Sequence, residues 1–397
     1  MAASAPSSTT PDNATAYVNG RVYTVDEAQP WAEAFVVSPD GLFSAVGSTQ
    51  EVLAQAERDG LVIYDLGGRF VMPGIHDAHV HALMAGLSRL SNASMGLEAS
   101  VPAAEAAGKL RTAACGCSYA HAFSHWMAGE VFDVDGFDRA CLDGDYPEQP
   151  VMIRAAAGHS LLLNTAALRE SGYDIAAEPA AKGAFFARRP DGSLTGRVAE
   201  AGMTKALLAC PKPSLAHVKR ALRHAAGRLH AAGVTSCQEA SANSLMLQAL
   251  AQLDAEGRLR LDMHTHIVYA PEWIGEEPAP RLHALLDAAS GLASRHVHTR
   301  FVKIMLDGVP LAPYFTQAGL TGDGLVDEDK ICVDDVVDAV VRYDARGMTC
   351  KIHCTGQGAT RRALDAIETA RKKNPGGPRH EIAHCSGVHE GKQTTMH

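Results

Sequence analysis

The C-terminal half of the chain alternates strand-like and helix-like segments, and this rhythm restricts the fold more than any other feature of the sequence. A helical stripe of apolar residues begins after Ser214 and ends at Gly233, and the apolar run 234–238 follows at once. Further strand-like segments lie at 259–269, 301–306, 348–353 and 381–384, with helix-like segments at 335–345 and 359–373. Strands that alternate with helices of this length predict parallel βαβ units.

The segment 71–81, VMPGIHDAHVH, supplies the first strand of the series. Counted from there, the chain contains six strands, whereas a closed barrel of this class needs eight. Thirteen residues follow His384, and two more βαβ units of roughly 30 residues each do not fit into them. We therefore predict an α/β fold, an incomplete (β/α)8 TIM-type barrel with about six of its eight strands, in which strands 7 and 8 are missing.

The rest of the chain predicts two further regions and one insertion. Residues 1–14 are small and polar, which is typical of a disordered tail. Residues 15–70 contain short alternating segments separated by Asx-Gly and Gly-Gly turns, so we expect small antiparallel sheets in a β-sandwich-like domain. The barrel then occupies 71–397, with an insertion at about 85–212 above its mouth that includes a helix at 164–171 and a hairpin at 188–197.

Polar side chains lie at the ends of several predicted barrel strands. His79 and His81 end the first strand two residues apart, so alternation points them to the same face. Lys303 lies in the fourth strand, His353 ends the fifth and His384 ends the sixth. The active site of a parallel barrel lies at the C-terminal ends of its strands. These five residues are therefore the candidate metal ligands.

For other polar residues the sequence gives weaker evidence of a role in the site. The pairs His264 with His266 and His296 with His298 repeat the His-x-His spacing, but neither follows a turn into an apolar strand, so we interpret them as strand-edge residues. His159 and Asn164 are candidates for substrate contacts from the insertion, and helix capping or the tying of a loop explains them equally well.

These motifs closely resemble the amidohydrolase superfamily, and within it amidohydrolase family 3, the N-substituted formamide deformylase-like branch. The resemblance extends from about residue 16 to 389. It rests on the segments 18–25, 70–81, 158–165, 195–196, 233–236, 302–308, 352–353 and 383–386.

The resemblance implies a metal centre. His79 and His81 would hold a divalent ion, and zinc is favoured because neutral imidazoles suit it. In binuclear members the lysine at the position of Lys303 is carboxylated and bridges two ions. His353 and His384 would hold the second ion, or in a one-ion version one would bind metal while the other stabilises the oxyanion as a catalytic residue. Both versions remain open.

Two departures from the family pattern affect the predicted activity. The superfamily's proton-accepting Asp at the end of strand eight has no counterpart here, and we therefore expect a C-terminally truncated chain. The family usually continues after the fifth-strand His toward Gly-Asp, whereas this chain has Gly356-Gln357.

Three functions follow as hypotheses. The first is a metal-dependent amidohydrolase that cleaves a carbon–nitrogen bond other than a peptide bond in a small molecule, by metal-activated water. The second is a truncated, catalytically impaired relative that binds metal or a partner without turnover. The third is a deaminase of the same superfamily.

Composition restricts the partners and the compartment. The net charge of −9 is not concentrated in blocks, which argues against nucleic acid and anionic membrane surfaces and favours a small-molecule substrate. No apolar run approaches the roughly 20 residues of a membrane span. Nine scattered cysteines and an N-terminus without an apolar core predict a cytoplasmic protein. Two open barrel edges predict poor solubility or association, for example as a homo-oligomer.

Overall fold

The computed structural model describes residues 13–115, 123–312 and 314–388. These residues form two compact units, one that ends at Ile75 and one that begins at His76. Most of the predicted tail 1–14 lies outside the described residues, as does the segment 389–397. No helix in the described ranges has the length and apolar character needed to cross a membrane.

The first unit contains seven short strands and one helix. They are β1 (Thr15–Val18), β2 (Arg21–Tyr23), β3 (Trp31–Ala32), β4 (Ala34–Val37), β5 (Phe43–Gly47), α1 (Thr49–Asp59), β6 (Val62–Asp65) and β7 (Phe70–Val71). One sheet has the order β5-β4-β1-β6, and a second has the order β3-β2-β7. Two small sheets agree with the predicted β-sandwich-like architecture.

The prediction that these sheets are antiparallel is wrong at β6 and β7. β1 pairs antiparallel with β4 but parallel with β6, and β2 pairs parallel with β7. β6 runs parallel to β1 because α1 lies between β5 and β6 as a crossover helix, so the chain enters β6 in the same direction as it entered β5. α1 begins with a capping box, in which the Ser48 hydroxyl accepts from the Glu51 amide while the Glu51 carboxylate accepts from the Ser48 amide.

The second unit starts with β8 (Ile75–Val80) and α2 (Ala82–Leu90), and the predicted insertion follows. The insertion is an ordered sheet with the strand order β13-β14-β12-β11-β10-β9. Its elements are β9 (Ala93–Ser94), α3 (Ala106–Cys115), β10 (Met127–Val131), α4 (Ala140–Asp143), β11 (Val151–Ala155), β12 (Ser160–Leu163), α5 (Thr165–Glu170), β13 (Ala184–Arg188), β14 (Leu194–Glu200) and α6 (Thr204–Ala209). α5 is the predicted helix, and the antiparallel pair β13 and β14 is the predicted hairpin.

The barrel continues after α6 with regular alternation of helices and strands. Its elements are α7 (Leu215–Ala231), β15 (Val234–Ala242), α8 (Ser244–Ala255), β16 (Asp262–Ala270), α9 (Glu272–Gly275), α10 (Ala279–Asp287), β17 (Val297–Met305), α11 (Val336–Ala345), β18 (Thr349–Cys354), α12 (Gln357–Lys373) and β19 (Glu381–His384). β15 to β19 pair in parallel with their neighbours, and β8 completes the sheet next to β15. The six strands form a nearly closed, incomplete α/β barrel, as predicted.

α7 packs on the barrel through the apolar stripe that the sequence predicts. In α7, Val218, Leu222 and Ala225 are buried in the main core, and the Ser214 hydroxyl caps the helix by accepting from the His217 amide. Each fully buried Val or Leu stabilises the fold by about 1.5–3 kcal/mol. α7 ends before Gly233, whose φ of 80° turns the chain directly into β15.

Candidate active site

Four histidine rings form a row at the C-terminal end of the barrel. The ring centroids of His79 and His81 lie 5.4 Å apart. Those of His79 and His384 lie 4.9 Å apart, and those of His384 and His353 lie 4.5 Å apart. The structure therefore brings together the candidates from the first, fifth and sixth barrel strands.

Lys303, the candidate on the fourth barrel strand, is buried beside a second lysine. Its side chain is almost inaccessible, and its register partner on β18 is Lys351. Burial and then the charge of Lys351 lower the pKa of Lys303 to about 7. A substantial fraction of this amine is therefore neutral at physiological pH, and only a neutral amine reacts with carbon dioxide to form a carbamate.

The four imidazoles of the row are neutral near pH 7. Burial, followed by the charge of Lys303, lowers the pKa of both His79 and His81 to about 3 and that of His384 to about 4. Burial also places the pKa of His353 well below its ordinary value. Neutral imidazole is the form in which histidine coordinates a metal ion.

A buried carboxylate orients His81. The Nδ1 atom of His81 lies 2.8 Å from the Ser241 hydroxyl, which donates to Oε1 of Glu239 over 3.3 Å. Glu239 is fully buried, and its Oε2 atom accepts from the Ala82 amide at 2.6 Å. Because Ser241 donates to the carboxylate, its oxygen accepts from Nδ1–H of His81, which leaves Nε2 of His81 with a lone pair for a ligand.

His353 is held in the opposite tautomer. Its Nε2 atom lies 3.0 Å from the Gly308 carbonyl oxygen, which can only accept, so Nε2 carries the proton and Nδ1 carries the lone pair. The Asp307 carboxylate lies 3.7 Å from the same nitrogen. His353 is thus fixed by backbone and side chain together, with one free coordinating atom.

Asp307 also anchors the loops that surround His353. It is fully buried and accepts from the backbone amides of Ala318, Thr355 and Gly356 at 2.8–3.0 Å. A β-carbon at Gly356 would collide with the Ala318 carbonyl oxygen, so this approach requires glycine. Gln357, which replaces the family's Asp, is the exposed first residue of α12.

Lys351 connects strands on both sides of the barrel interior. Its ammonium group donates to the Ala78 carbonyl on β8 and to the Gln238 side chain on β15, and it lies 3.1 Å from the Glu381 carboxylate on β19. Sequence reasoning overlooked Lys351. The available signal was its position two residues before His353 in an apolar strand, because alternation places both on one face.

His159 reaches the row from the insertion and is paired with a buried carboxylate. Its ring centroid lies 6.0 Å from that of His353, and its Nδ1 atom lies 3.1 Å from Oε2 of Glu200. Glu200 is buried, has a φ of 50°, and accepts from the Thr316 hydroxyl at 2.7 Å. A positive φ at a non-glycine residue costs about 1–3 kcal/mol, so the surrounding contacts hold this carboxylate in place.

Asn164, the second substrate candidate, has a structural role. It is fully buried, and its Oδ1 atom accepts from the amides of Val151 and Ala167 at 2.9 Å. Its Nδ2 atom donates to the carbonyls of Tyr146 and Gln149. These four bonds use the whole hydrogen-bonding capacity of the amide, so the capping alternative describes Asn164 and we exclude it from the proposed site.

The two other His-x-His pairs contact other partners. The rings of His264 and His298 stack with 4.7 Å between their centroids, and Nδ1 of His296 lies 2.8 Å from Asp262. The prediction of a strand-edge position is wrong for His266, which is fully buried and donates from Nδ1 to the Glu239 carbonyl. Alternation places residues 264 and 266 on one face, but it does not say that this face points into the barrel.

A cavity of about 190 Å³ opens beside the row, and both His81 and His159 line it. Its wall also includes Trp273, which is buried and packs edge-on against the His159 ring at 5.7 Å between centroids. The size of the cavity suits a small molecule rather than a polymer.

The residues fit a metal ion by their chemistry and their support. Across residues 13–115, 123–312 and 314–388, no three His, Cys, Asp or Glu side chains are arranged as a ready metal-binding group. The imidazoles meet as neighbouring pairs instead, and Lys303 can act as a ligand only after its amine gains a carboxylate. Their neutral charge state and the fixed tautomers of His81 and His353 are the features that coordinating histidines have.

Comparison with known proteins finds sequence relatives over most of the chain. A family model described as an amidohydrolase family matches residues 62–397. The exoenzymes regulatory protein AepA of Pectobacterium carotovorum subsp. carotovorum is 23% identical over 375 residues, which cover 91% of this chain and 78% of that protein. A protein named as an amidohydrolase, YtcJ of Bacillus subtilis, is 23% identical over 376 residues, which cover 89% of this chain and 66% of YtcJ.

A solved structure shares the fold. The crystal structure of an uncharacterized metal-dependent hydrolase from Pyrococcus horikoshii OT3 superimposes with a TM-score of 0.69 at 20% sequence identity, and the match covers 96% of this chain and 72% of that one. At this level of identity the likeness concerns the architecture alone.

Proposed function

The chain belongs to the amidohydrolase family, and from this membership we propose that it hydrolyses an amide-type carbon–nitrogen bond of a small molecule with the help of a divalent metal ion. The observation that carries the proposal is the row of four neutral imidazoles beside the buried Lys303. These side chains lie at the strand ends where parallel barrels place their reacting groups.

The row and Lys303 together would hold the metal. His79, His81, His353 and His384 offer imidazole nitrogens, for which zinc is well suited. When bound, the ion polarises a carbonyl and lowers the pKa of the attacking water. Carboxylation of Lys303 would supply a bridge for a second ion, and without it the site would hold one.

The tautomers divide the roles of His353 and His384. An oxyanion is stabilised by an N–H donor, and the N–H of His353 is already bonded to Gly308. We therefore assign His353 to coordination through Nδ1. In a one-ion site, His384 is the better candidate for stabilising the oxyanion, because it contacts the rings of both His79 and His353 and is exposed.

His159, held by Glu200, would transfer the proton of the attacking water to the leaving nitrogen. Glu200 binds Nδ1 of His159 and so fixes this ring with Nε2 free. A histidine held in this way can accept a proton at Nε2 from the attacking water and return it to the leaving nitrogen. This role does not need a carboxylate from a further barrel strand.

The size of the cavity supports a small substrate, and the state of the cysteines supports a cytoplasmic location. The cavity of about 190 Å³ accommodates a small substrate. The seven described cysteines, from Cys141 to Cys385, are free thiols, which supports a reducing compartment such as the cytoplasm.

The proposal is tested by metal content and turnover in matched variants. The double variant H79N/H81N removes one His-x-His pair of the row, and H296N/H298N removes a pair of the same spacing outside it. We expect stoichiometric divalent metal by elemental mass spectrometry in the wild type and in H296N/H298N, and its loss in H79N/H81N. Activity is measured on N-acyl amino acids, N-substituted formamides and aminated heterocycles.

The outcomes separate the hypotheses. A wild-type chain that neither carries nor takes up stoichiometric metal contradicts the proposal. Full metal loading without hydrolysis of any compound favours a binding protein without turnover. Release of ammonia from the heterocycles alone favours a deaminase.

A further inference from the structure

One wall of the cavity beside the row carries a cluster of three charged side chains. Arg154 lies on β11, Lys212 lies between α6 and α7, and Glu276 follows α9. The Arg154 Nη2 atom and the Lys212 Nζ atom each lie 2.9 Å from a different oxygen of Glu276. Although burial acts in the opposite direction, the charges of Lys212 and Arg154 hold the pKa of Glu276 at about 2, so the carboxylate stays ionised.

The cluster leaves one positive charge uncompensated. Two cations face one carboxylate, and the other described lining residues are apolar, uncharged polar or histidine. Arg154 also keeps donor capacity, because a guanidinium has five N–H groups and, among the described residues, the Nη1 atom of Arg154 meets only the Met84 sulfur at 3.9 Å. The wall therefore offers both charge and hydrogen-bond donors.

Trp273 adds an aromatic ring to the same wall. It lines the cavity and is 4% exposed. Trp273 also contacts His159, which links this wall to the row.

The remaining wall is largely apolar. Its larger side chains are Met84, Leu87, Phe123, Met152, Leu207 and Ile274. A ligand for this cavity therefore needs an apolar portion as well as an anionic one.

We propose that the cavity selects substrates that carry a carboxylate and an apolar group, with Arg154 binding the carboxylate oxygens. Lys212 holds Glu276, and the net single positive charge suits a monoanion better than a phosphate dianion. This inference rests on the proposed function, because it names the class of amide that the site would hydrolyse. Small amides with a carboxylate and an apolar side chain, such as acetylated apolar amino acids, fit this description.

The inference is tested by binding rather than by turnover. Isothermal titration calorimetry compares acetylleucine with the uncharged acetylleucinamide, in both enantiomers, on the wild type as purified. We expect about tenfold tighter binding of the carboxylate, which is the effect of a charge-assisted hydrogen bond. R154Q should reduce this preference, and the control R300Q, at an exposed arginine of β17, should preserve it.

Because misfolding alone would also weaken binding in R154Q, the test includes a second variant for which we expect the opposite effect. E276Q removes the negative charge and releases donors of Arg154, so we expect it to bind acetylleucine more tightly than the wild type does. Equal affinity of the wild type for acetylleucine and its amide overturns the inference. So does a preference that persists in R154Q and vanishes in H79N/H81N, because the metal would then hold the carboxylate. Tighter binding of phenyl phosphate than of phenylacetate overturns the choice of a monoanion.

The two proposals fail in distinguishable ways. The metal content of H79N/H81N tests the proposed function without reference to the cavity. The preference for a carboxylate in R154Q and E276Q tests the inference at residues outside the row.

Discussion

The rings of His79 and His384 lie 4.9 Å apart, although the two residues belong to the opposite edge strands of the barrel sheet. A flat six-stranded sheet would separate its edge strands by roughly 24 Å, at about 4.8 Å per strand spacing. The sheet therefore curls enough for its first and last strands to contribute to one site. The row of histidines depends on this curvature.

Substitution of Lys303 should change the number of bound metal ions. K303M keeps a long apolar side chain in the barrel but cannot form a carbamate. If Lys303 bridges two ions, K303M binds at most one per chain, whereas the exposed-lysine control K372M keeps the wild-type number. Elemental mass spectrometry after zinc reconstitution in bicarbonate buffer measures this. Identical metal content in K303M and the wild type would remove Lys303 from the ligand set.

Lys351 should contribute to stability through its three interior contacts. K351M leaves the Gln238 side chain and the Glu381 carboxylate without this partner. We expect the free energy of unfolding to fall by about 1–3 kcal/mol, the cost of an unsatisfied buried polar group. Urea denaturation of K351M and K372M measures the difference. An unchanged midpoint and slope for K351M would show that the contacts are energetically neutral.

Glu200 should act on catalysis through His159. E200Q keeps the shape of the side chain but removes the negative charge beside Nδ1 of His159. We expect kcat to fall by about 10²-fold with little change in KM, within the usual contribution of general acid–base catalysis. A rise in KM with an unchanged kcat would indicate a role in substrate binding instead.

Glu276 should make stability depend on pH in a defined window. Its pKa in the folded protein is about 2, below the ordinary value of 4.5, so between these values the unfolded state binds more protons. The stabilisation is complete above about pH 4.5 and is lost as the pH falls toward 2. Since the side chain is partly exposed, we expect about 1 kcal/mol. The difference in unfolding free energy between wild type and E276Q, followed from pH 7 to 3.5, should shrink on acidification. A constant difference would contradict this.

The barrel and the row could be predicted because their signals are local. His79 and His81 share a face by alternation, and His353 and His384 end apolar strands, so their meeting follows from the rule that parallel barrels gather strand ends. Asn164 shows the limit of this reasoning. An Asn before a helix satisfies a capping pattern and a substrate-contact hypothesis equally well, and only its four hydrogen bonds decide between them.

The supporting residues could not be predicted because their partners are distant in sequence. The role of Glu239 in orienting His81 is recognisable only once its contact with Ser241, which in turn contacts His81, is known. Arg154 and Glu276 likewise form a cluster through the tertiary fold of the insertion against the barrel. A charged residue in a loop or on a strand carries no sequence signal for such a partner.

Because of the Asp307 carboxylate, the loops around His353 become ordered during folding and not when a ligand binds. By accepting three backbone amides around His353, the carboxylate arranges this part of the site as the chain folds. A flexible loop would lose conformational entropy when a ligand binds. Here the loops around His353 have already lost that entropy during folding. Metal affinity at His353 should therefore reflect coordination chemistry with little conformational penalty, and D307N should weaken it through disorder even though Asp307 is not one of the candidate metal ligands.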